Sequence, residues 1–441
     1  MNSFLEYLYS STILRWLTES LWRDEAFSVL LARKNLFEIV YLAAKDYTPP
    51  LYYIILKFWM EIFGSSEIVI RALSMIFYLG SLVMFVIILE KFKIKDKIIY
   101  LATAVLATAP GFIYYAFEAR PYSLLAFLTL VNFYAFVQQR SRLYFTSLIL
   151  GFFTHYFFIF NLIAQVCYVI FVEKRRGKKF LKTWSIFGII VGVWLGYLVY
   201  LRSYLFSSDF WVDRLSFKDT TEAFLVIWVG FIKGWESRYN FFSIYALFFT
   251  LLILASVFVI IKSYRERQKS SFSKVGFLIL LFSLLPIMIL IFISIIKPVF
   301  IARYVLFTIP FLILLFVFAF KRRVLVLILT LLFVFNLSYL SFLVEARKKL
   351  EWRKILGELR LYLNPKQRVY LSVASEYPVF VYYLPEIKDK IFVLEKNYDS
   401  LPGYIGKVIY PKDKVVADFM SFSYPALVFN PYGKMIIHEF R

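Results

Sequence analysis

The chain has 441 residues, of which 61% are hydrophobic and 51 are phenylalanine, and its mean hydropathy is +0.71. A soluble core cannot bury that much apolar surface, so a soluble protein is excluded and a polytopic membrane protein is expected. The net charge of +22 does not indicate a nucleic-acid partner, because Lys and Arg occur in short runs between apolar stretches. The single cysteine, Cys167, excludes a disulfide framework and a thiolate metal cluster.

Apolar segments long enough to cross a hydrocarbon layer of about 30 Å as helices dominate residues 1–344. They lie near 68–90, 98–116, 121–137, 184–201, 241–261, 275–296, 304–320 and 324–344. Residues 143–172 exceed one span and lie between basic clusters, which favours two crossings with a turn at 154–156. A short segment at 4–17, which carries Glu6 and Arg15, adds a first span. The fold class expected is an all-α transmembrane bundle of about 11 spans.

The basic runs between the spans predict which loops face the cytoplasm. They occur at 91–97, 138–142, 173–182, 262–274 and 321–323. The alternation then places a first external loop, 18–67, and every other suspicious polar residue on the outer side of the inner (plasma) membrane. The last 97 residues, 345–441, follow the final span on that same side.

This C-terminal part has a different sequence pattern from the membrane domain. It begins with an amphipathic segment at 351–363 and continues with strand-like runs at 368–373, 390–394 and 426–429, separated by prolines. The sequence therefore predicts a membrane domain, 1–344, and a small soluble extracytoplasmic α/β domain, 345–441.

Asp24 and Glu25 stand in the first external loop, just after the interfacial residue Trp22 and before a surface helix expected over 26–44. One interpretation is that these two acids only cap the helix, because acidic residues favour a helix N-terminus. Carboxylates at a bilayer surface are costly without water or a partner, so we favour a functional site. Asp46 precedes Thr48 and two prolines that pre-set a helix at Leu51–Phe63, where an N-cap role and a substrate contact are both open.

Four further polar residues fall on the outer side. Glu118 and Arg120 either form an ion pair with each other or bind a sugar. Residues two apart on a helix do not face each other, so each would seek another partner. Arg303 either anchors its span at the interface or binds a phosphate, for which its planar fork is suited. His155 lies at the predicted 154–156 turn, and a lone histidine is more often structural than a ligand. Arg71 is interpreted as an anchor at the head of its span.

Six motifs in order resemble the GT-C membrane glycosyltransferases, in particular relatives of the protein O-mannosyltransferases (glycosyltransferase family 39) and the lipid A aminoarabinose transferases. The motifs cover most of residues 20–320 and do not name a substrate. They are Leu-Trp-Arg-Asp-Glu-Ala-Phe-Ser at 21–28, Asp-Tyr-Thr-Pro-Pro-Leu-Tyr-Tyr at 46–53, Phe-Gly-Ser-Ser-Glu with Arg-Ala-Leu-Ser at 63–74, Glu-Ala-Arg-Pro-Tyr-Ser-Leu at 118–124, Thr-His-Tyr-Phe at 154–157 and Ala-Arg-Tyr-Val-Leu at 302–306.

The resemblance implies transfer of a hexosyl or pentosyl group, with inversion, from a polyprenyl-phosphate carrier to a hydroxyl acceptor on a protein, lipid or glycan. It implies Asp24 as the general base, with Glu25 beside it as a second catalytic residue. The expected substrate-binding residues are Asp46, Tyr52, Glu118, Arg120, Tyr122, His155, Arg303 and Tyr304. The donor already carries a phosphate leaving group, so no cofactor is required and a divalent cation is left open.

Two other classes remain to be separated from this one. A carrier or flippase for lipid-linked sugars would place polar groups through mid-span depth and show two related halves, and neither is visible in the sequence. A structural scaffold would have no reason to place these charged residues on one side: Asp24, Asp46, Glu118, Arg120 and Arg303.

Overall fold

The structure is a computed structural model that describes residues 11–202, 212, 214, 216–230, 242–266, 271–346, 349–363, 368–417, 426–429 and 435–438. Residues 4–10, which are half of the first predicted span (4–17), lie outside the described residues. Its described end is a short 3-10 helix, Ile13–Leu17.

Three short helices make up the first predicted external loop: α1 (Arg23–Ala32), α2 (Leu36–Lys45) and α3 (Leu51–Phe63). The single surface helix expected over 26–44 is wrong, because Asn35 caps a new helix by accepting the Glu38 N–H at 2.9 Å. The bounds predicted for α3 are confirmed. It starts directly after Pro50 and ends at Gly64, whose φ of +91° only glycine adopts readily.

The helices that follow build the apolar bundle. They are α4 (Glu67–Lys91), α5 (Asp96–Thr108), α6 (Pro110–Tyr114), α7 (Tyr122–Val137), α8 (Ser141–Thr154), α9 (Ile159–Phe171), α10 (Lys174–Arg202), α11 (Phe217–Val229), α12 (Phe242–Glu266), α13 (Ser271–Ile296), α14 (Ile309–Ala319) and α15 (Arg322–Ala346). A 3-10 stretch, Ala302–Thr308, leads into α14, so residues 302–319 form one apolar segment.

Six segments of the described chain are long and apolar enough to cross a membrane, and a bent pair would make a seventh. The predicted span 98–116 is that pair, because the chain bends by 57° between α5 and α6 at Pro110, which has no N–H to continue the helix. The expected break of 143–172 at His155 is confirmed. Helices α8 and α9 have 14 and 13 residues, so each rises only about 20 Å. The count of about 11 spans therefore stays a prediction.

The C-terminal part contains α16 (Trp352–Tyr362), α17 (Tyr377–Tyr383) and five strands. The strands are β1 (Arg368–Leu371), β2 (Ile391–Leu394), β3 (Val415–Val416), β4 (Ala426–Phe429) and β5 (Met435–His438). Their order is β3-β2-β1-β4-β5, parallel except for the β4–β5 pair. The three predicted strands are confirmed, while the domain boundary at 344 stays a prediction.

The C-terminal part packs on α1 and on the start of α4 through specific contacts. The Arg353 guanidinium lies 2.6 Å from the Glu67 carboxylate, and the Tyr383 hydroxyl donates to the same oxygen at 2.9 Å. Gly406 has a φ of +73°, and a Cβ there would lie 2.4 Å from the Phe27 ring of α1. Only a residue without a side chain allows this close approach. The sheet is thus held against the helix that carries Asp24 and Glu25.

Candidate active site

Asp24 and Glu25 are the second and third residues of α1, and successive side chains on a helix point about 100° apart. Their environments differ accordingly. The Asp24 side chain is 21% exposed, whereas that of Glu25 is fully buried.

The Glu25 carboxylate is saturated with hydrogen bonds. Arg71 of α4 binds it through both oxygens, with Nε at 2.8 Å from Oε1 and Nη2 at 2.7 Å from Oε2. The Ala119 N–H donates to Oε1 at 3.1 Å, and Lys349 Nζ and the Trp22 N–H donate to Oε2 at 2.9 and 3.4 Å. Burial alone raises the pKa of Glu25, but the charges and hydrogen bonds of Arg71 and Lys349 outweigh it and hold the pKa well below its usual range.

Arg71 also fixes the segment that precedes α1. Its Nη1 donates to the carbonyl oxygens of Leu17 and Glu19 at 3.0 and 2.6 Å, and its Nη2 to that of Ser20 at 3.3 Å. Arg71 lies near the start of α4, where the sequence interpretation placed an anchor for this span, and its side chain is fully buried and faces protein. A charged residue within an apolar span indicates a buried partner, so the sequence alone could have predicted that Arg71 is paired.

Lys349 joins this cluster from the segment between α15 and α16. Its Nζ lies 3.8 Å from a Glu118 carboxylate oxygen, in addition to its contact with Glu25. Glu118 is 1% exposed, so the structure places it within the buried cluster and not on an open surface. No sequence pattern could have found Lys349, which is 324 positions from Glu25.

Asp24 lies in a second, more open cluster. Its Oδ2 is 3.9 Å from a guanidinium nitrogen of Arg120 and 3.7 Å from one of Arg303. Both arginine side chains are partly exposed, at 13% and 16%. Three residues that are far apart in the chain thus converge, as the sequence predicted for an acid-and-cation site.

Backbone contacts hold Arg120 against α4. Its N–H donates to the Glu118 carbonyl at 2.8 Å, and its carbonyl accepts from the Ser74 hydroxyl at 3.3 Å. Tyr52 lies behind this contact, with its hydroxyl 3.1 Å from that of Ser74. Tyr52 has no exposed surface, so its expected contact with substrate does not fit this structure. It supports Arg120 instead.

Asp46 caps the C-terminal end of α2 near the open cluster. Burial raises the pKa of Asp46 to about 8; Arg120 opposes this rise and Asp24 adds to it. At neutral pH this carboxyl therefore holds its proton.

Aromatic rings line the side of the open cluster next to Arg303. The Tyr122, His155 and Tyr304 rings have centroids 5.2 to 6.4 Å apart. His155 Nδ1 accepts the Phe157 N–H at 3.3 Å, which leaves Nε2 as the protonated nitrogen. Burial, together with the charges of Arg120 and Arg303, lowers the pKa of His155 to about 3, so the ring is neutral. A neutral donor beside two guanidinium groups suits an anionic or hydroxyl-bearing ligand.

The described residues contain no group of three or more His, Cys, Asp or Glu side chains arranged to hold a metal ion. Cations in the open cluster come from arginine side chains.

Comparison with known proteins adds information about the fold. No family model matches the chain, and no curated protein does. Two crystal structures of ArnT from Cupriavidus metallidurans are similar, and each alignment covers 96% of this chain and 91% of that chain. The apo structure has 12% identity and a TM-score of 0.49, and the structure bound to undecaprenyl phosphate has 11% identity and a TM-score of 0.51. The chain therefore has an ArnT-like fold over nearly its whole length, as its sequence motifs predicted.

Proposed function

We propose that the protein is an inverting glycosyltransferase that moves a sugar from a polyprenyl-phosphate donor to a hydroxyl acceptor at the outer face of the membrane. The observation that carries the proposal is the convergence of Asp24, Arg120 and Arg303 in one partly exposed cluster. The fold is shared with ArnT, which has been crystallised with undecaprenyl phosphate.

In this proposal Asp24 is the general base. The acceptor hydroxyl gives its proton to the Asp24 carboxylate while its oxygen forms a bond to the anomeric carbon of the donor sugar. The bond from that carbon to the phosphate oxygen breaks, and the electron pair leaves with the lipid phosphate. The guanidinium nitrogens lie 3.7 and 3.9 Å from Oδ2, beyond good hydrogen-bond length, so the carboxylate retains room to accept that proton.

Arg120 and Arg303 stabilise the departing phosphate, where negative charge develops. Guanidinium groups bind phosphate oxygens through paired N–H donors. The buried Nε of Arg120 has no hydrogen-bond partner among the described residues. An incoming phosphate oxygen would satisfy this donor.

Glu25 has a positioning role in this proposal. The expectation that it takes part in catalysis does not fit the geometry, because five donors already occupy its carboxylate oxygens. Its bonds to Arg71 and Ala119 hold α1 against the segment that presents Arg120.

No cofactor enters the proposed reaction. Two arginines balance the charge of a monophosphate leaving group, so a bridging divalent cation is not needed. Chelation of divalent cations with EDTA should leave the transfer rate unchanged, whereas a rate that falls with EDTA and returns with Mg²⁺ or Mn²⁺ would contradict this part of the proposal.

The test is transfer by the purified chain in lipid vesicles, with a panel of radiolabelled polyprenyl-phosphate sugars and native membrane extract as the acceptor source. Wild-type protein should label a product, and Asp24→Asn should not, while both bind undecaprenyl phosphate. Asp96→Asn is the matched control, because Asp96 is also in the first turn of a helix but is exposed. Binding without transfer by the wild type across the panel would instead favour a carrier for lipid-linked sugars.

A further inference from the structure

Lys349 enters the buried cluster from a distant part of the chain. It lies between α15, which belongs to the apolar bundle, and α16, the first helix of the C-terminal part. Its side chain is only 11% exposed, and an ammonium group is costly to bury without a partner. The proposed reaction gives this lysine no role, so its burial calls for another explanation.

The Lys349 ammonium group bridges two carboxylates on separate segments. Its Nζ lies 2.9 Å from Oε2 of Glu25 on α1 and 3.8 Å from Oε1 of Glu118. It also lies 5.9 Å from the centroid of the Trp22 ring, at the outer limit of a cation–π contact. Lys349 therefore joins α1 to the segment 118–120.

This segment carries Arg120, and each of its residues is tethered. The Glu118 carboxylate contacts Lys349, the Ala119 N–H donates to Glu25 at 3.1 Å, and the Arg120 N–H donates to the Glu118 carbonyl at 2.8 Å. Two of these tethers use the carboxylates that Lys349 bridges. The position of Lys349 thus bears on the position of Arg120.

The chain that follows Lys349 is fixed to the residues just before α1. The Arg353 N–H donates to the Ser20 hydroxyl at 3.0 Å, and the Arg353 guanidinium donates to the Thr18 carbonyl at 2.8 Å. A displacement of the C-terminal part would therefore move Lys349 relative to Glu25.

The charges of the buried cluster balance only when Lys349 is included. Glu25 and Glu118 contribute two negative charges, and Arg71 and Lys349 contribute two positive ones. Burial raises the pKa of Glu25, and the charges of Arg71 and Lys349 more than offset that rise. Without Lys349, two buried carboxylates would face one guanidinium.

A neighbouring pair of charges leaves this balance unchanged. The charge of Glu19 also acts on Arg71. The Glu19 carboxylate lies 3.5 Å from the Arg15 guanidinium, so these two residues add no net charge.

We infer that Lys349 is a positioning residue for phosphate binding, because it balances the charges of Glu25 and Glu118 and so holds Arg120 beside Asp24. The inference rests on the proposed function, in which Arg120 binds the departing phosphate. Lys349 itself does not touch the phosphate. Through this residue, the segment that leads into the C-terminal part completes the phosphate-binding cluster.

The test measures binding of undecaprenyl phosphate by the full-length chain in detergent, as the ratio of each variant's affinity to that of wild type. Lys349→Met should weaken binding about tenfold at about pH 8, a typical size for coupling between two sites. The ratio should recover toward one at about pH 5.5, because a proton on either carboxylate restores neutrality. A lysine that serves only in packing would lower the affinity equally at both pH values.

Two further variants separate charge from packing. Lys349→Arg keeps the charge and should bind close to wild type. The double variant Lys349→Met/Glu118→Gln removes one charge of each sign, so it should fold and should recover most of the affinity at about pH 8, even where Lys349→Met alone fails to fold. Lys354→Met is the matched control, because it removes an exposed lysine of α16 and should bind as wild type does.

The outcomes distinguish this inference from the proposed function. Wild-type affinity in Lys349→Met at both pH values, or a double variant that binds or folds no better than Lys349→Met, would overturn the inference and leave the proposed function intact. A wild-type chain that binds no undecaprenyl phosphate would remove both.

Discussion

Two clusters that start from adjacent residues of α1 have opposite designs. Glu25 is fully buried and bound at 2.7 to 2.9 Å by Arg71 and Lys349, whereas Asp24 is 21% exposed and lies 3.7 and 3.9 Å from Arg303 and Arg120. A carboxylate with all its lone pairs occupied can hold a structure together but cannot accept a proton. A carboxylate that lies beside cations without close hydrogen bonds to them can accept a proton. In the proposed reaction, this difference gives Glu25 a structural role and Asp24 the chemical one.

The two clusters are also physically connected. Ala119 donates to Glu25, and the next residue, Arg120, faces Asp24. The buried cluster therefore sets the position of the open one. Lys349 extends the same connection to the C-terminal part of the chain.

The largest effect is expected from Arg71→Ala, which leaves the buried Glu25 charge without its main partner. Breaking a buried ion pair on one side costs about 3–5 kcal/mol, so the melting temperature in detergent should fall steeply or the chain should fail to fold. Arg71→Lys should be milder, since it keeps the charge. Arg360→Ala is the control, because its ion pair with Glu386 is about half exposed and worth about 0–1 kcal/mol. Equal melting temperatures for Arg71→Ala and wild type would contradict a structural role for the Glu25 cluster.

A smaller effect is expected at Arg303 in the open cluster. Arg303→Ala should weaken binding of undecaprenyl phosphate about 10- to 100-fold, because a charged donor to the phosphate is lost. Arg303→Lys should lose less affinity, because it keeps the charge but not the planar fork. Binding is measured by titration of the lipid, with the melting temperature as a check on folding. Identical affinities in wild type and both variants would contradict a phosphate role.

A further effect is expected in the pH dependence of stability, which reports on Asp46. Because the folded pKa is raised to about 8 from an ordinary value near 3.8, the folded chain keeps a proton that the unfolded chain releases. Wild-type stability should therefore decrease relative to Asp46→Asn as the pH rises from about 4 to about 8, and change no further above that. Melting temperatures of both proteins across this range test the sign. A difference that does not change with pH would contradict the raised pKa.

Local sequence signals predicted the parts of the fold that local chemistry decides. Pro50 and Gly64 delimit α3, and His155 separates α8 from α9. Pro110 indicated a bend after α5, but 98–116 was predicted as one span because only its hydropathy was considered.

The site was predictable only where composition gave a reason to look. Asp24, Arg120 and Arg303 are charged residues in a chain suited to lipid, and their convergence was expected before any contact was known. The partners of Glu25 were not expected, because Arg71 and Lys349 are 46 and 324 positions away from it and nothing local pairs them. The sequence therefore predicted a catalytic role for Glu25 beside Asp24. In the structure, α1 directs the Glu25 side chain into the protein interior.

The most direct test of the division between the two acids compares Asp24→Asn with Glu25→Gln in the same preparation, measuring sugar transfer and melting temperature for each. Asp24→Asn should lower transfer about 10²- to 10⁴-fold with a melting temperature close to wild type, as expected for loss of a general base. Glu25→Gln should lower the melting temperature. Wild-type transfer by Asp24→Asn, or loss of transfer in Glu25→Gln with an unchanged melting temperature, would contradict the account.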